Sequence, residues 1–246
     1  MIIIQHLKKS LAIAKKDLSI YYLRPPVMIQ GLLIPAFLFV SFSLKREAGI
    51  EFLVPGLLGM ALFFAVSAVT PVIFPWETKM NTLERLVSSP IPLWAIIFGD
   101  LLASVLFGIF ITSFVLVVAI FLFGLKIVTL PLIAGTLIGS FCFSALGVLM
   151  AAPPAEQPSD IMLFSTLIKF PLIFISGVFV PLSEMGNFKF ISFFSPLTYY
   201  VDLARGAIQG TSEFSPWLSL IALAGFTVVF MFIAIKWHKR SLARRF

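Results

Sequence analysis

The chain has 246 residues, 60% apolar and only 12% charged, with 28 Phe and a mean hydropathy of +1.07. Soluble domains run at about 45–50% apolar and about 25% charged, and a globule of this size could not hide the surplus apolar surface. A soluble enzyme, a disordered chain and a nucleic-acid module are therefore excluded, and the excess of 18 Lys and Arg over 11 Asp and Glu has to be read against a membrane.

Residues 1–24 read as a helix lying on the membrane surface. Ile4, Leu7, Leu11, Leu18 and Tyr21 fall at helical spacings, while Lys8, Lys9, Lys15 and Lys16 recur on other faces. The alternative is a basic flank that only sets topology. The basic stretch is too long for a signal peptide, and the run behind it is long enough to span. Arg24-Pro25-Pro26 breaks the helix and turns the chain inward.

Stretches without Asp, Glu, Lys or Arg cover 25–44, 52–76, 101–125, 127–155 and 214–235, and 161–183 is interrupted only by Lys169. A spanning helix needs about 20 such residues, so six spans are expected in a single transmembrane domain over 1–246. Continuous rather than alternating apolar runs exclude a β-barrel. Six spans put both termini on one side. That side carries twelve Lys and Arg (Lys8, Lys9, Lys15, Lys16, Arg24, Lys79, Arg85, Lys236, Lys239, Arg240, Arg244, Arg245), and the other carries five (Lys45, Arg46, Lys126, Lys189, Arg205). The imbalance places both termini in the cytoplasm.

The cytoplasmic loop 76–92 is expected to hold a short helix over 83–87, capped by Asn81 or Thr82 and stopped by Pro90 and Pro92. Trp76 and Trp94 anchor it at the interface. Such a rigid segment suits a docking lever for a partner protein. Gly135 and Gly139 in span four permit close helix approach, within the chain or between subunits, and Cys142 reads as a small buried hydrophobe. The single charge deep in a span, Lys169, has two readings. It faces a wet path with Ser165 and Thr166 and meets an anionic group on the cargo, or it is structural, for example paired with Asp100. Pro171 beside it leaves the Leu167 carbonyl without its donor.

Residues 183–212 are too broken to span and too aromatic for a free loop, so two half-helices dipping in from the outer face are expected. Ser183 would cap the first and Pro196 would break it. The second would bury Leu197, Val201, Ala204 and Ile208, with Asp202 and Arg205 paired. The basic run from Lys236 to Arg245 suits anionic lipid. The chain has no nucleotide-binding Gly-rich loop with its Lys, no His-Glu-x-x-His, no Gly-x-Ser-x-Gly and no midplane carboxylate pair. No catalytic or metal site is read from it, and a conduit driven by energy from elsewhere is expected.

Two segments carry a family resemblance. Glu77, Thr82, Leu83, Glu84, Leu86 and Pro90 resemble the coupling segment of the ABC-2 exporter permeases, with Asn81 where that family usually has Gly and Asp100 near a position where it often has Lys. Pro196-Leu197-Thr198-Tyr199 followed by Asp202, Arg205 and Gly206 is similar to that family's C-terminal signature. The resemblance implies an all-α polytopic permease in the cell membrane with re-entrant half-helices between spans five and six. It also implies a homodimer working with a separate ATP-binding-cassette subunit that holds ATP and Mg. Glu77, Thr82, Leu83, Glu84 and Arg85 would couple to that subunit. The implied cargo is a drug, a lipid-linked sugar or a polysaccharide leaving the cytoplasm. A membrane anchor or assembly factor that transports nothing is the alternative.

Overall fold

The computed structural model describes residues 2–43, 50–124, 129–155 and 157–242. The described residues are helical, without strands, in the order α1 (Ile2–Asp17), α2 (Pro25–Ser43), α3 (Ile50–Ser67), α4 (Thr70–Lys79), α5 (Thr82–Ser88), α6 (Leu93–Phe123), α7 (Leu130–Met150), α8 (Pro158–Ile175), α9 (Lys189–Ser192), α10 (Pro196–Gln209) and α11 (Pro216–Leu242). Helix limits follow local chemistry. Pro71, Pro131, Pro158 and Pro196 sit in the first turns of α4, α7, α8 and α10, where a missing N–H costs nothing. Gly124 and Gly210, at φ +64° and +71°, end α6 and α10.

Among the described residues, five stretches are long and apolar enough to cross a membrane: Glu51–Lys79, Leu93–Phe121, Leu130–Met150, Pro158–Ile175 and Pro216–Ser241. Of the six expected spans, the first corresponds to α2, whose apolar core runs Val27–Phe37. The second is broken into α3 and α4 at Ala68–Val69, ahead of Pro71. The third begins at Leu93 rather than residue 101, because Asp100 is tolerated inside the helix when buried to 1% exposure. The fifth stops at Ile175, ahead of Gly177 at φ +78°. Lys45 and Arg46, counted above on the side opposite the termini, fall outside the described residues.

Helices α3, α7 and α10 enclose the main core. Phe143 stands edge-on to Phe63 at 5.1 Å and to Tyr200 at 6.4 Å, a favourable quadrupole arrangement. Gly135 lies against Leu203, and Gly139 against Tyr200 and Leu62, so this pair serves packing within the chain. Cys142 is buried as expected. Outside the core, Leu106, Phe110, Phe114, Val117 and Phe121 form an exposed stripe on α6, tolerable only where the surrounding medium is itself apolar.

Two features of 183–212 differ from expectation. In place of a first half-helix there are 3₁₀ turns at Leu182–Glu184 and Gly186–Phe188 and the single turn α9. Pro196 opens α10 rather than breaking a helix, since its ring is compatible with the first turn. Helix α10 itself is as foreseen: Leu197, Val201 and Ala204 are buried and Ile208 packs on the core.

The α3–α6 crossing supplies a test. A Cβ on Gly108 would stand 2.1 Å from Val66 Cγ2, whereas one on Gly225 meets nothing within 4 Å. Gly108→Ala should destabilise the protein by about 1–3 kcal/mol through overpacking, read as a lower melting temperature in detergent. Val66→Ala should recover part of the loss, and Gly225→Ala should lower nothing.

Candidate functional site

Pro71 has no N–H, so the Ser67 carbonyl four residues earlier loses its helical donor. The donor that replaces it is the ammonium of Lys169 on α8, 2.5 Å away and 6% exposed. Lys169 thus crosses to the break between α3 and α4. Asp100, its expected partner, instead stands beside Asp17 of α1, buried at the other helix contact. Lys169, Ser165 and Thr166 do come together. They line a cavity of about 140 Å³ with Gly31, Phe64, Ala68, Met162 and Phe170. The two hydroxyls bond the Met162 carbonyl of their own helix at 2.9 and 2.8 Å, which leaves their oxygens able to accept a further donor.

A larger cleft of about 720 Å³ adjoins this cavity at Met162. It lies between α4, the start of α8 and the π-helical turn Leu18–Tyr22. Tyr21 and Trp76, with rings 5.8 Å apart, line one side, together with Arg24, Lys79, Gln157 and Ser159. Burial, aided by the Glu77 carboxylate, pushes the Tyr21 hydroxyl up to about 12, so it stays protonated and can donate. The sequence reading missed this cleft. Its cations are far apart in the chain, and only the fold of residues 18–24 against α4 unites them.

In the coupling segment, Asn81 has φ +55°, the left-handed conformation that Asn accepts better than most residues. It precedes α5 without a side-chain capping bond. Thr82 Oγ1 bonds the Glu77 carbonyl at 3.2 Å, and Leu83 is fully buried beside Ile13, Phe74, Ile96 and Ile97. Thr82, Glu84 and Arg85 are exposed. Glu77 is not: at 1% exposure its carboxylate binds Lys16 of α1, which also lies 3.0 Å from Asp17. Glu77 therefore presents no surface to a partner and instead ties α4 to α1. Burial alone would lower the Lys16 ammonium, but Asp17 and Glu77 outweigh it and hold it above its ordinary value. The lysine's share of this tie is present below the ordinary lysine range and is lost as pH rises into strong alkali, while acid removes the tie by protonating the carboxylates. Lys9 Nζ to the Pro90 carbonyl at 2.9 Å and Ser10 Oγ to the Ala95 carbonyl at 2.7 Å complete the attachment.

The signature stretch holds together the turns around α10. Thr198 Oγ1 and Tyr199 Oη bond the Ser192 and Phe193 carbonyls at 2.6 and 3.1 Å, closing the turns before α10. Pro196 and Leu197 are buried beneath them. Asp202 and Arg205 attract across one turn, but each has a further task. Asp202 accepts the Glu213 and Phe214 N–H groups at 2.8 and 3.1 Å, and Arg205 donates to the Gly177 carbonyl at 2.5 Å, lying over the Phe52 ring.

A family model described as ABC-2 type transporter matches residues 3–208. The chain is 26% identical over 190 residues to the inner membrane transport permease YadH of Escherichia coli K12, covering 76% of this chain and 73% of that one. The YadH of Shigella flexneri gives the same figures. It is 25% identical over 169 residues to a probable multidrug ABC transporter permease, YbhR of Escherichia coli K12, covering 63% of this chain and 42% of that one.

A double-mutant cycle isolates the bond between Lys169 and the broken helix. Pro71→Ala restores an N–H at position 71, so Lys169→Met should cost about 1–3 kcal/mol more in the Pro71 protein than in the Pro71→Ala background. Thermal unfolding of the four proteins in detergent gives the coupling. Equal costs in both backgrounds would show that Lys169 does not serve this carbonyl.

Proposed function

The chain belongs to the ABC-2 type transporter family, and from that premise we propose that this multi-pass membrane permease moves its cargo out of the cytoplasm with a separate ATPase. The ATPase holds the ATP and Mg, and two copies of the permease work together. Six spans, α1 on the inner membrane surface and the 183–212 segment inserted from the outer face complete the arrangement, with both termini cytoplasmic. The observation that carries this reading is the pair of cavities on either side of Met162 on α8. A wide cationic-aromatic cleft at Arg24 and Lys79 shares that residue with the cavity of Ser165, Thr166 and Lys169.

The coupling route follows from the same geometry. An ATPase docked on the exposed Thr82, Glu84 and Arg85 pushes α5, and buried Leu83 passes the load to α4 and α1. Helix α4 turns against α3 at the Ala68–Val69 break, where no continuous helical ladder resists it. The Lys169 bond to Ser67 joins that break to α8, so motion there shifts the wall of the path. The cleft suits a cargo with an apolar body and an anionic or acceptor-rich end. That fits a drug, as YbhR's name indicates for that protein, as well as a lipid-linked sugar or polysaccharide.

Two experiments test this reading. Tagged chain isolated from membranes should bring an ATP-binding-cassette ATPase with it. Glu84→Ala with Arg85→Ala should weaken that association about tenfold, as loss of two exposed charge contacts allows, with membrane protein level unchanged. Absence of any such ATPase would end the transporter reading. For orientation, Ser10 and Ser241 are too buried to label, so cysteines belong at the exposed Lys8 and Thr211. Impermeant reagent applied to intact cells should reach Thr211→Cys and not Lys8→Cys. The reverse pattern would invert the topology.

A further inference from the structure

Helix α11 carries its own membrane ruler. Trp217 and Trp237 are 75% and 42% exposed. Twenty residues at 1.5 Å each separate them by about 30 Å, one hydrocarbon thickness. Tryptophans favour the headgroup level, so Trp237 marks one interface and Lys236 and Arg240 lie at phosphate depth beside it. The helix does not fray there. His238 Nε2 meets the Val148 carbonyl at 2.9 Å, and its ring packs at a 39° tilt with its centroid 4.5 Å from that of Phe74. Ala234 and Ser241 are buried on that same side. With 234, 238 and 241 facing the protein, helical geometry turns 233, 236, 237 and 240 away from it.

These outward residues, with Phe232 and the edge of Ser241, line a cavity of about 510 Å³ closed at one side by Pro154. Among the described residues its lining has two cations and no carboxylate, above an apolar floor. We propose that this cavity is a binding site for one acidic phospholipid of the cytoplasmic leaflet, a lipid distinct from the exported cargo. The phosphate sits between Lys236 and Arg240, with the guanidinium fork giving paired hydrogen bonds. Trp237 packs on the glycerol region, and an acyl chain runs down Phe232 and Ile233. A second copy of the chain is the poorer occupant, because a twofold contact through this face brings Lys236 and Arg240 against their own images. The leaflet assignment rests on the cytoplasmic termini proposed above; the lipid chemistry does not.

Native mass spectrometry of the full chain, with phosphatidylglycerol or phosphatidylcholine of identical acyl chains added, tests the site. The unmodified protein should retain phosphatidylglycerol preferentially. Lys236→Ala with Arg240→Ala should cut that retention about tenfold, while Lys8→Ala with Lys15→Ala, which removes the same charge from α1, should leave it intact. Equal retention of the two lipids by the unmodified protein would overturn the proposal without recourse to any variant. So would full retention by the Lys236/Arg240 variant, or equal loss in the α1 control. Displacement of the lipid by millimolar inorganic phosphate would mark a free-phosphate site, and a protein dimer that excludes lipid and is lost in the Lys236/Arg240 variant would mark a subunit interface. Either result also overturns it.

Discussion

A backbone carbonyl left without a donor inside a membrane costs several kcal/mol, and there is no water to take it up. The long second span contains Pro55 and Pro71, so the Glu51 and Ser67 carbonyls both lose their helical partners. Each is met by a long polar side chain from another helix: Gln209 of α10 reaches Glu51 at the exposed start of α3, 3.1 Å away, and Lys169 of α8 reaches Ser67 in the buried interior, where no water can substitute. The prolines weaken the helix locally, and the donors that repair it fix where α8 and α10 stand. Much of the packing around α3 follows from this need, with the core of Phe63, Phe143 and Tyr200 filling the space between.

The same compensation accounts for how a broken helix suits a moving part. Helix α4 is bound at its C-terminal end by the Glu77 pair with Lys16 and by buried Leu83. At its other end there is only the two-residue break, with Thr70 hydroxyl-bonded to the Val66 carbonyl and to Tyr22. Under the proposed docking at α5, a load would reach the unit of α1, α4 and α5, and the nearest place where φ and ψ can yield is the break. In that proposal one salt-bridged residue and one proline divide this end of the protein into a lever and a hinge. Hinges of this kind are a few element-terminal residues.

Different residue types were legible to different degrees before the fold was known. The buried face of α10 depends on periodicity, and the structure agrees with it; Pro196, expected to break a helix, opens one instead, because its ring fits a first turn as readily as it ends a preceding one. The charge-free criterion misplaced the start of α6, because it treats every carboxylate as solvent-facing, while Asp100 is enclosed by α1. Glu77 was expected at a partner surface and is instead enclosed by Lys16. Whether a charge points out or in depends on what packs over it, and here that cover comes from residues 61 positions away.

What the sequence by itself determined is the class of medium and the rough partition of the chain. Sixty per cent apolar residues, runs near 20 long and an uneven distribution of Lys and Arg are one-dimensional quantities, and the bilayer acts on them one segment at a time. At Pro71 the missing N–H orphans the Ser67 carbonyl, as the one at Pro171 does for Leu167. Only the tertiary structure decided which side chain would answer it, because hydrogen bonding is short-ranged and Lys169 lies 102 residues from Ser67. The cleft of Arg24 and Lys79, the burial of Glu77 and the rigid end of α11 at His238 are of the same kind. Each depends on two segments meeting within a few ångströms, and neither segment carries that meeting in its own composition.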